Sequence, residues 1–346
     1  MIVALRDAAS PLAAGLVPDA IVALADTGLA HAHWRLGASG VLARVPKQSQ
    51  MRLAARANLA YQRACFARAA PSGHTPRLHG VLEVSEALPR GALLVEEIPG
   101  RKPALPAQLD PLVDALAAIH ALETPAHAAR APLLAPADPL RALLQEIDAQ
   151  APHLRDSRVP DRSRRAIDER LSRMRRLAGA QTIGAISLIA FDAHPGNFLV
   201  RDDGTAVLVD LEKARYGLAS LDLAHATLYT STTWERGDRV VLDADRVARA
   251  YLRWQHALGA SRAGSPDDWL LQREAMWLWS VTWCAMWTAR AGDAADARRA
   301  GDDWSASLSE AALIEHVRER VSHYLAADTV DAVLDGFDAL RRRLGC

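Results

Sequence analysis

The stretch Leu188–Asp222, LIAFDAHPGNFLVRDDGTAVLVDLEKARYGLASLD, decides how this chain is read. A mostly apolar run, Ile186 to Ile189 with only Ser187 polar, enters a short polar loop holding Asp192, His194, Pro195, Gly196 and Asn197. A second apolar run follows at once. Phe198, Leu199 and Val200 face Ala206, Val207, Leu208 and Val209 across Asp202-Asp203-Gly204-Thr205, whose Asp-Gly step suits the positive φ angles of a tight hairpin turn. Such a hairpin folds Asp210 back toward Asn197. Two hard oxygen donors brought together this way suit a magnesium ion that keeps several waters and bridges substrate phosphates. Asp192, five residues before Asn197, points into the same cleft and can accept or orient the proton of an attacking hydroxyl. Alone, Asp192 or Asn197 reads as a turn residue. It is the three groups joined by one hairpin that point to chemistry.

The spacing resembles the catalytic loop of protein kinases, Asp, four residues, Asn, then a metal-binding Asp after a hairpin. The wording DAHPGN, VDLEKARYG and LDLA is closer to the aminoglycoside phosphotransferase and choline kinase family, small-molecule kinases with a protein-kinase-like fold. That family usually has His-Gly before the catalytic Asp; Ala190 and Phe191 stand there in this chain. The resemblance implies that Asp222 accepts backbone hydrogen bonds and holds the catalytic loop. Glu212 completes an Asp-x-Glu that is similar to the choline kinase form of the metal motif.

The chain has 346 residues, half of them hydrophobic, enough for two domains or lobes. Lys plus Arg and Asp plus Glu number 41 each, so no global field draws the protein to nucleic acid or an anionic membrane. Cys65, Cys284 and Cys346 lack metal-ligand spacing and cannot all pair, which suits a reducing compartment. MIVALRDAAS does not read as a signal peptide, and no stretch reads as a transmembrane segment, so a cytoplasmic protein is expected.

Toward the N-terminus the pattern predicts a helix around Asp19 to Ala25, then Asp26-Thr27-Gly28, an extended segment from His31 to Leu36, a turn over Gly37-Ala38-Ser39-Gly40 and a strand from Val41 to Val45. Residues 51 to 69 read as a helix with Leu53, Leu59, Ala60 and Phe66 on its apolar side. By the resemblance, Gly28 lies in the loop over the nucleotide phosphates, and Arg44, in Leu42-Ala43-Arg44-Val45-Pro46, is the strand cation that reaches them. The family's partner for that cation is a helix Glu. No Glu occurs between Ser49 and Leu82, so Asn58 or Gln62 is the expected substitute. Leu93 to Gly100, LLVEEIPG, resembles the hinge between lobes, with the Glu96 carbonyl and Ile98 amide on adenine and Val95 behind it.

Further on, Leu109, Leu112, Val113, Leu116 and Ile119 share one helix face, with His120 as a core residue. Residues 139 to 177 read as two helical segments, the second rich in arginine and solvated. The region after Leu221 is helical and holds eight of the nine tryptophans; Trp279, Trp283 and Trp287 repeat every four residues on one face, with Trp277 on another. Aromatic faces of this kind also hold ammonium groups.

The expected fold is α+β and protein-kinase-like: an N-lobe over 1–95 with an antiparallel sheet, a hinge over 96–100 and a larger, mainly helical C-lobe over 101–346. The expected activity is ATP- and Mg2+-dependent transfer of a γ-phosphate to a hydroxyl of a small, cationic molecule, with Asp192 catalytic, Asn197 and Asp210 on the metal, and Gly28, Arg44, Val95, Glu96 and Ile98 on the nucleotide. The residues at 190 and 191 and the missing helix Glu leave open a nucleotide-binding regulator without turnover. A third reading is a metallohydrolase built from Asp192, His194 and Asp210.

Overall fold

The computed structural model describes Leu5 and residues 21–25, 28–156, 158–178, 184–235, 237, 239–291 and 310–346. Five strands form one antiparallel sheet: β1 (Ile21–Ala23), β2 (His31–Leu36), β3 (Val41–Pro46), β4 (Leu78–Leu82) and β5 (Ala92–Glu96), in the order β1-β2-β3-β5-β4. Gly37 and Gly40, at φ 60° and 69°, turn the chain between β2 and β3. Alternation along β3 separates two faces. Val41, Ala43 and Val45 join Leu36, Leu82, Leu88, Ala92 and Leu94 in one apolar cluster. Leu42 and Arg44 face the other way, with Arg44 over the Phe66 ring of α1 (Ala55–Ala69).

Two local expectations are corrected here. The helix around Asp19 to Ala25 is instead a strand over Ile21–Ala23, paired with Trp34 to Leu36; Asp19, Ala20, Asp26 and Thr27 lie outside the described residues. A free sheet edge and the β-branched pair Ile21-Val22 outweigh the helical pattern. The helix predicted from residue 51 begins at Ala55, because Arg52 takes a left-handed φ of 56°. On it Leu59 and Phe66 are buried, whereas Ala60 is exposed.

The remainder is mainly helical. It contains α2 (Leu109–His120), α3 (Pro139–Gln150), α4 (His153–Asp156), α5 (Asp161–Ala178), α6 (Ser220–Thr227), α7 (Tyr229–Thr232), α8 (Ala244–Leu258), α9 (Ala260–Ala263), α10 (Pro266–Ala291), α11 (Ala311–Tyr324) and α12 (Ala327–Leu344). The two segments expected over 139 to 177 are thus three. All five apolar residues expected on the face of α2 are buried. Arginines of α5 bond acids of this chain: Arg173 and Arg170 reach Glu274, Arg175 reaches Asp148 and Arg162 reaches Asp331.

Two short ribbons carry the loop between sheet and helices. β6 (Ile186–Ile189) pairs with β9 (Arg215–Leu218), and β7 (Phe198–Val200) with β8 (Ala206–Leu208) in the register Phe198 to Leu208. Gly204, at φ 86°, and the Asp203 carboxylate on the Thr205 amide close the turn of the second ribbon. The Val209 amide then donates to the Asn197 carbonyl at 2.8 Å, which sets Asn197 and Asp210 side by side.

Gly100 ties this ribbon to the sheet. A Cβ there would sit 2.8 Å from the Val200 carbonyl oxygen, and Arg101 and Val200 exchange backbone hydrogen bonds at 3.0 and 2.7 Å. Gly100→Ala is expected to cost about 1–3 kcal/mol by overpacking a backbone contact that cannot yield. Urea denaturation measures it; an unchanged midpoint would show that the segment slides freely over the ribbon.

Candidate active site

Asp222 anchors the loop that carries Asp192 and Asn197. It is fully buried on α6, and its Oδ2 and Oδ1 accept the amides of Ala190 and Phe191 at 2.6 and 2.7 Å. His120 adds a third bond at 3.1 Å. The Trp254 indole, which can only donate, bonds His120 Nδ1 at 3.0 Å, so Nε2 carries the proton that His120 gives to Asp222. His120 is therefore a satisfied core residue.

The anchored turn puts Phe191 at φ 64°, a conformation that favours glycine. Packing holds it there. The Arg215 guanidinium lies 3.7 Å from the ring centroid, Trp279 meets its edge at 5.2 Å, and Glu146 on α3 bonds both Arg215 and Trp279. A glycine would adopt this backbone without support; here a guanidinium over the ring and an indole at its edge supply it.

Beyond the turn, Asp192 meets a residue that the sequence reading passed over. Lys213 donates from Nζ to Asp192 Oδ2 at 2.7 Å and lies 5.5 Å from the centroid of Trp279. Burial works to raise the Asp192 carboxyl, but Lys213 and the nearby His194 and His225 outweigh it and hold the group well below the usual carboxylate range. Lys213 is driven the other way: burial opposes its charge, and Asp192 and Glu212 more than restore it. Its sequence signal is weak: a lysine between Glu212 and Ala214 in a mostly apolar stretch, which needs an anionic partner once buried.

Asn197 spends its amide nitrogen on the Asp192 carbonyl at 2.8 Å, so its side-chain oxygen is the atom available to a cation. Asp210 Oδ1 accepts from Arg44 at 2.5 Å and from the Glu212 amide at 3.2 Å. Burial works to raise Asp210, yet chiefly the Arg44 charge holds it low. Glu212 is pushed up by burial and by Asp210, and its Oε1 is a buried oxygen with no hydrogen-bond partner. The Asn197 amide oxygen and the Asp210 carboxylate line one cavity and are hard donors of the kind that suits Mg2+.

Arg44 is buried on β3, a central strand. It bonds His31 Nδ1 at 3.0 Å, and His31 Nε2 bonds Gln62 Oε1 at 3.0 Å. Since a guanidinium only donates, His31 must be neutral with its proton on Nε2, in keeping with the burial and the Arg44 charge that push it down. Gln62, one of the two expected substitutes for the helix Glu, thus reaches Arg44 through His31. Both His31 nitrogens are committed, so in this arrangement the cluster of His31, Asp210 and Glu212, with ligand atoms within 4.8 Å of one another, offers no free imidazole. Among the described residues Asp192, His194 and Asp210 form no such cluster, against the metallohydrolase reading.

One cavity of about 420 Å³ joins these groups. Gly28, Arg44, Val95, Glu96 and Ile98 line its sheet end, Asp192, Asn197, Asp210 and Lys213 its middle, and Trp234, Trp279, Trp283 and Tyr324 its helical end. Trp287, third along the same helix face, is buried, and Trp277 packs on Phe337 instead.

The sequence profile of the phosphotransferase enzyme family matches residues 28–264, more than half of the chain and all of the groups just described up to Trp254. This chain belongs to the phosphotransferase enzyme family. No curated protein matches the sequence. Among solved structures, this family member is similar to a choline/ethanolamine kinase family protein from Mesorhizobium loti, at 17% identity over 99% of this chain and 100% of that one, with a TM-score of 0.59. A choline kinase from Cryptosporidium parvum Iowa II aligns at 10% identity over 99% of each chain, with a TM-score of 0.58. A macrolide 2'-phosphotransferase from Brachybacterium faecium aligns at 16% identity over 92% of this chain and 97% of that one, with a TM-score of 0.55. The fold is therefore kinase-like. No helix among the described residues is long and apolar enough to cross a membrane.

Two outcomes follow for this phosphotransferase family member. Asp222→Ala leaves two amides and His120 without an acceptor and is expected to cost about 3–5 kcal/mol by equilibrium denaturation, the penalty of one partner removed from a buried charged network. Burial also lowers the His225 imidazole from 6.5 to about 4. Between those values the unfolded chain binds a proton that the native one refuses, so stability is full above pH 6.5 and falls as the pH drops toward 4, by about 3 kcal/mol. Urea midpoints at neutral and acid pH should show this slope, and His225→Gln should flatten it; an equal slope in the variant would remove His225 as its source.

Proposed function

We propose that this chain transfers the γ-phosphate of ATP, with Mg2+, to a hydroxyl of a small, cationic molecule. What carries the reading is the single cavity in which the hinge segment, Arg44, the Asn197–Asp210 pair, Asp192 and an aromatic wall meet. On this reading the chain divides into an N-lobe over 1–95, a hinge over 96–100 and a C-lobe over 101–346. The Glu96 carbonyl and Ile98 amide hold adenine with Val95 behind it, while the Gly28 loop and Arg44 hold the phosphates. Asn197 and Asp210 hold magnesium, which supplies charge neutralisation on the phosphates.

Asp192 orients the acceptor hydroxyl toward the γ-phosphorus. As the new oxygen–phosphorus bond forms, the bond to the bridging oxygen breaks with its electron pair on ADP, and the hydroxyl proton passes to Asp192. A carboxyl held as low as this one works chiefly by orientation, which suits a loose transition state in which positioning and electrostatics do most of the work. Lys213 already lies against Trp279, so an ammonium on the acceptor has Trp234 and Trp283 to meet, with Glu235 beside them. Three free cysteines, two of them buried, suit a cytoplasmic setting.

A second reading, a nucleotide-binding regulator, is favoured by one observation: Arg44 is locked onto Asp210, the residue proposed to hold the metal. Turnover separates the two. With product detection by mass across choline, ethanolamine, aminoglycosides and macrolides, the kinase yields a phosphorylated acceptor, and Asp192→Asn lowers kcat by about 100-fold or more with nucleotide binding retained. Nucleotide binding without any transfer or hydrolysis would favour the regulator, and an Asp192→Asn variant as fast as the parent would remove Asp192 from the reaction.

A further inference from the structure

We propose that Lys213 is a further catalytic residue of this site, the ammonium that contacts the terminal phosphoryl group during transfer. The inference rests on the kinase reading above and adds to it a cation from outside the loop and the metal pair. Three observations lead to it.

The first is position. Lys213 lines the cavity between the Asn197–Asp210 pair and the aromatic wall, and it bonds Asp192 directly at 2.7 Å. A phosphoryl group in transit must pass between the hydroxyl held at Asp192 and the phosphates held at Asn197 and Asp210. Lys213 borders that path.

The second is capacity. An ammonium has three donors, and one is given to Asp192. The side chain is only 11% exposed, so its charge acts where water screens it little. Charge spread over the equatorial oxygens of the transferring group is what such a cation stabilises.

The third is orientation. Glu146 bonds the Trp279 indole at 3.1 Å, and the indole in turn lies under the Lys213 ammonium. Lys213 is thereby held by Asp192 at its tip and by an aromatic face along one side, a preorganised donor of the kind that costs no rearrangement at the moment of reaction. A lysine serving only to neutralise a buried carboxylate needs no place on the cavity wall.

The test compares two nucleotides with and without the terminal phosphate. Calorimetry with magnesium and either ADP or a non-hydrolysable ATP analogue should show Lys213→Met binding the ATP analogue about tenfold or more weakly, the worth of one charge-assisted hydrogen bond, with ADP binding little changed. Single-turnover transfer or hydrolysis should fall by about 100-fold or more. Equal weakening of both nucleotides, or of neither, would overturn the assignment and leave Lys213 as a structural partner of Asp192. Should Lys213→Met fail to fold because Asp192 is left uncompensated, the double variant Asp192→Asn with Lys213→Met, compared with Asp192→Asn alone, gives the same contrast. A parent protein that binds neither nucleotide overturns the kinase reading itself, whereas one that binds both with no Lys213 selectivity overturns only this inference.

Discussion

The carboxylate of Asp222, buried between α2 and the loop that carries Asp192, is the constraint from which the site is built. It accepts the amides of Ala190 and Phe191 and the proton of His120, and His120 is fixed in turn by Trp254. A buried acid with three donors is stable only as a complete set, since each missing partner leaves a desolvated group behind. That completeness makes the loop conformation all-or-none. Once the two amides are captured, the direction in which Asp192 leaves the turn is fixed.

The cost of that turn falls on Phe191, which takes a left-handed backbone. The chain offsets the strain through tertiary packing, with Arg215 over one face of the ring, Trp279 on its edge and Glu146 bonding both. The same Trp279 lies under Lys213, so the residues that stabilise the loop also place a charge in the cavity. Fold support and site construction are one network here, and a change at Glu146 would be felt at both.

Charge in the site is balanced pair by pair. Asp192 meets Lys213, Asp210 meets Arg44, and Arg44 is steadied by a neutral His31 and by Gln62 behind it. No helix acid stands behind the strand cation in α1: Arg44 donates to His31, His31 donates to Gln62, and the guanidinium takes Asp210 as its counter-charge. In a low-dielectric cleft each buried charge needs such a partner.

The juxtaposition of Asn197 with Asp210 was legible in the sequence because it is local: an Asp-Gly turn between two apolar triplets fixes the register, and register fixes which side chains meet. The faces of α2 and of the Trp279 helix were legible for the same reason, since helical periodicity is a property of neighbours. The β1 segment misled because strand pairing depends on a partner ten or more residues away and not on its own pattern. Lys213 was in plain view within the decisive stretch, but no spacing rule marks a lysine that pairs with an acid twenty-one residues earlier. The sequence by itself determined the family, the hairpin and the main helix faces. Only the tertiary structure decided which charges neutralise one another, because a buried ion pair is set by distance in space and by exclusion of water, neither of which a linear pattern carries.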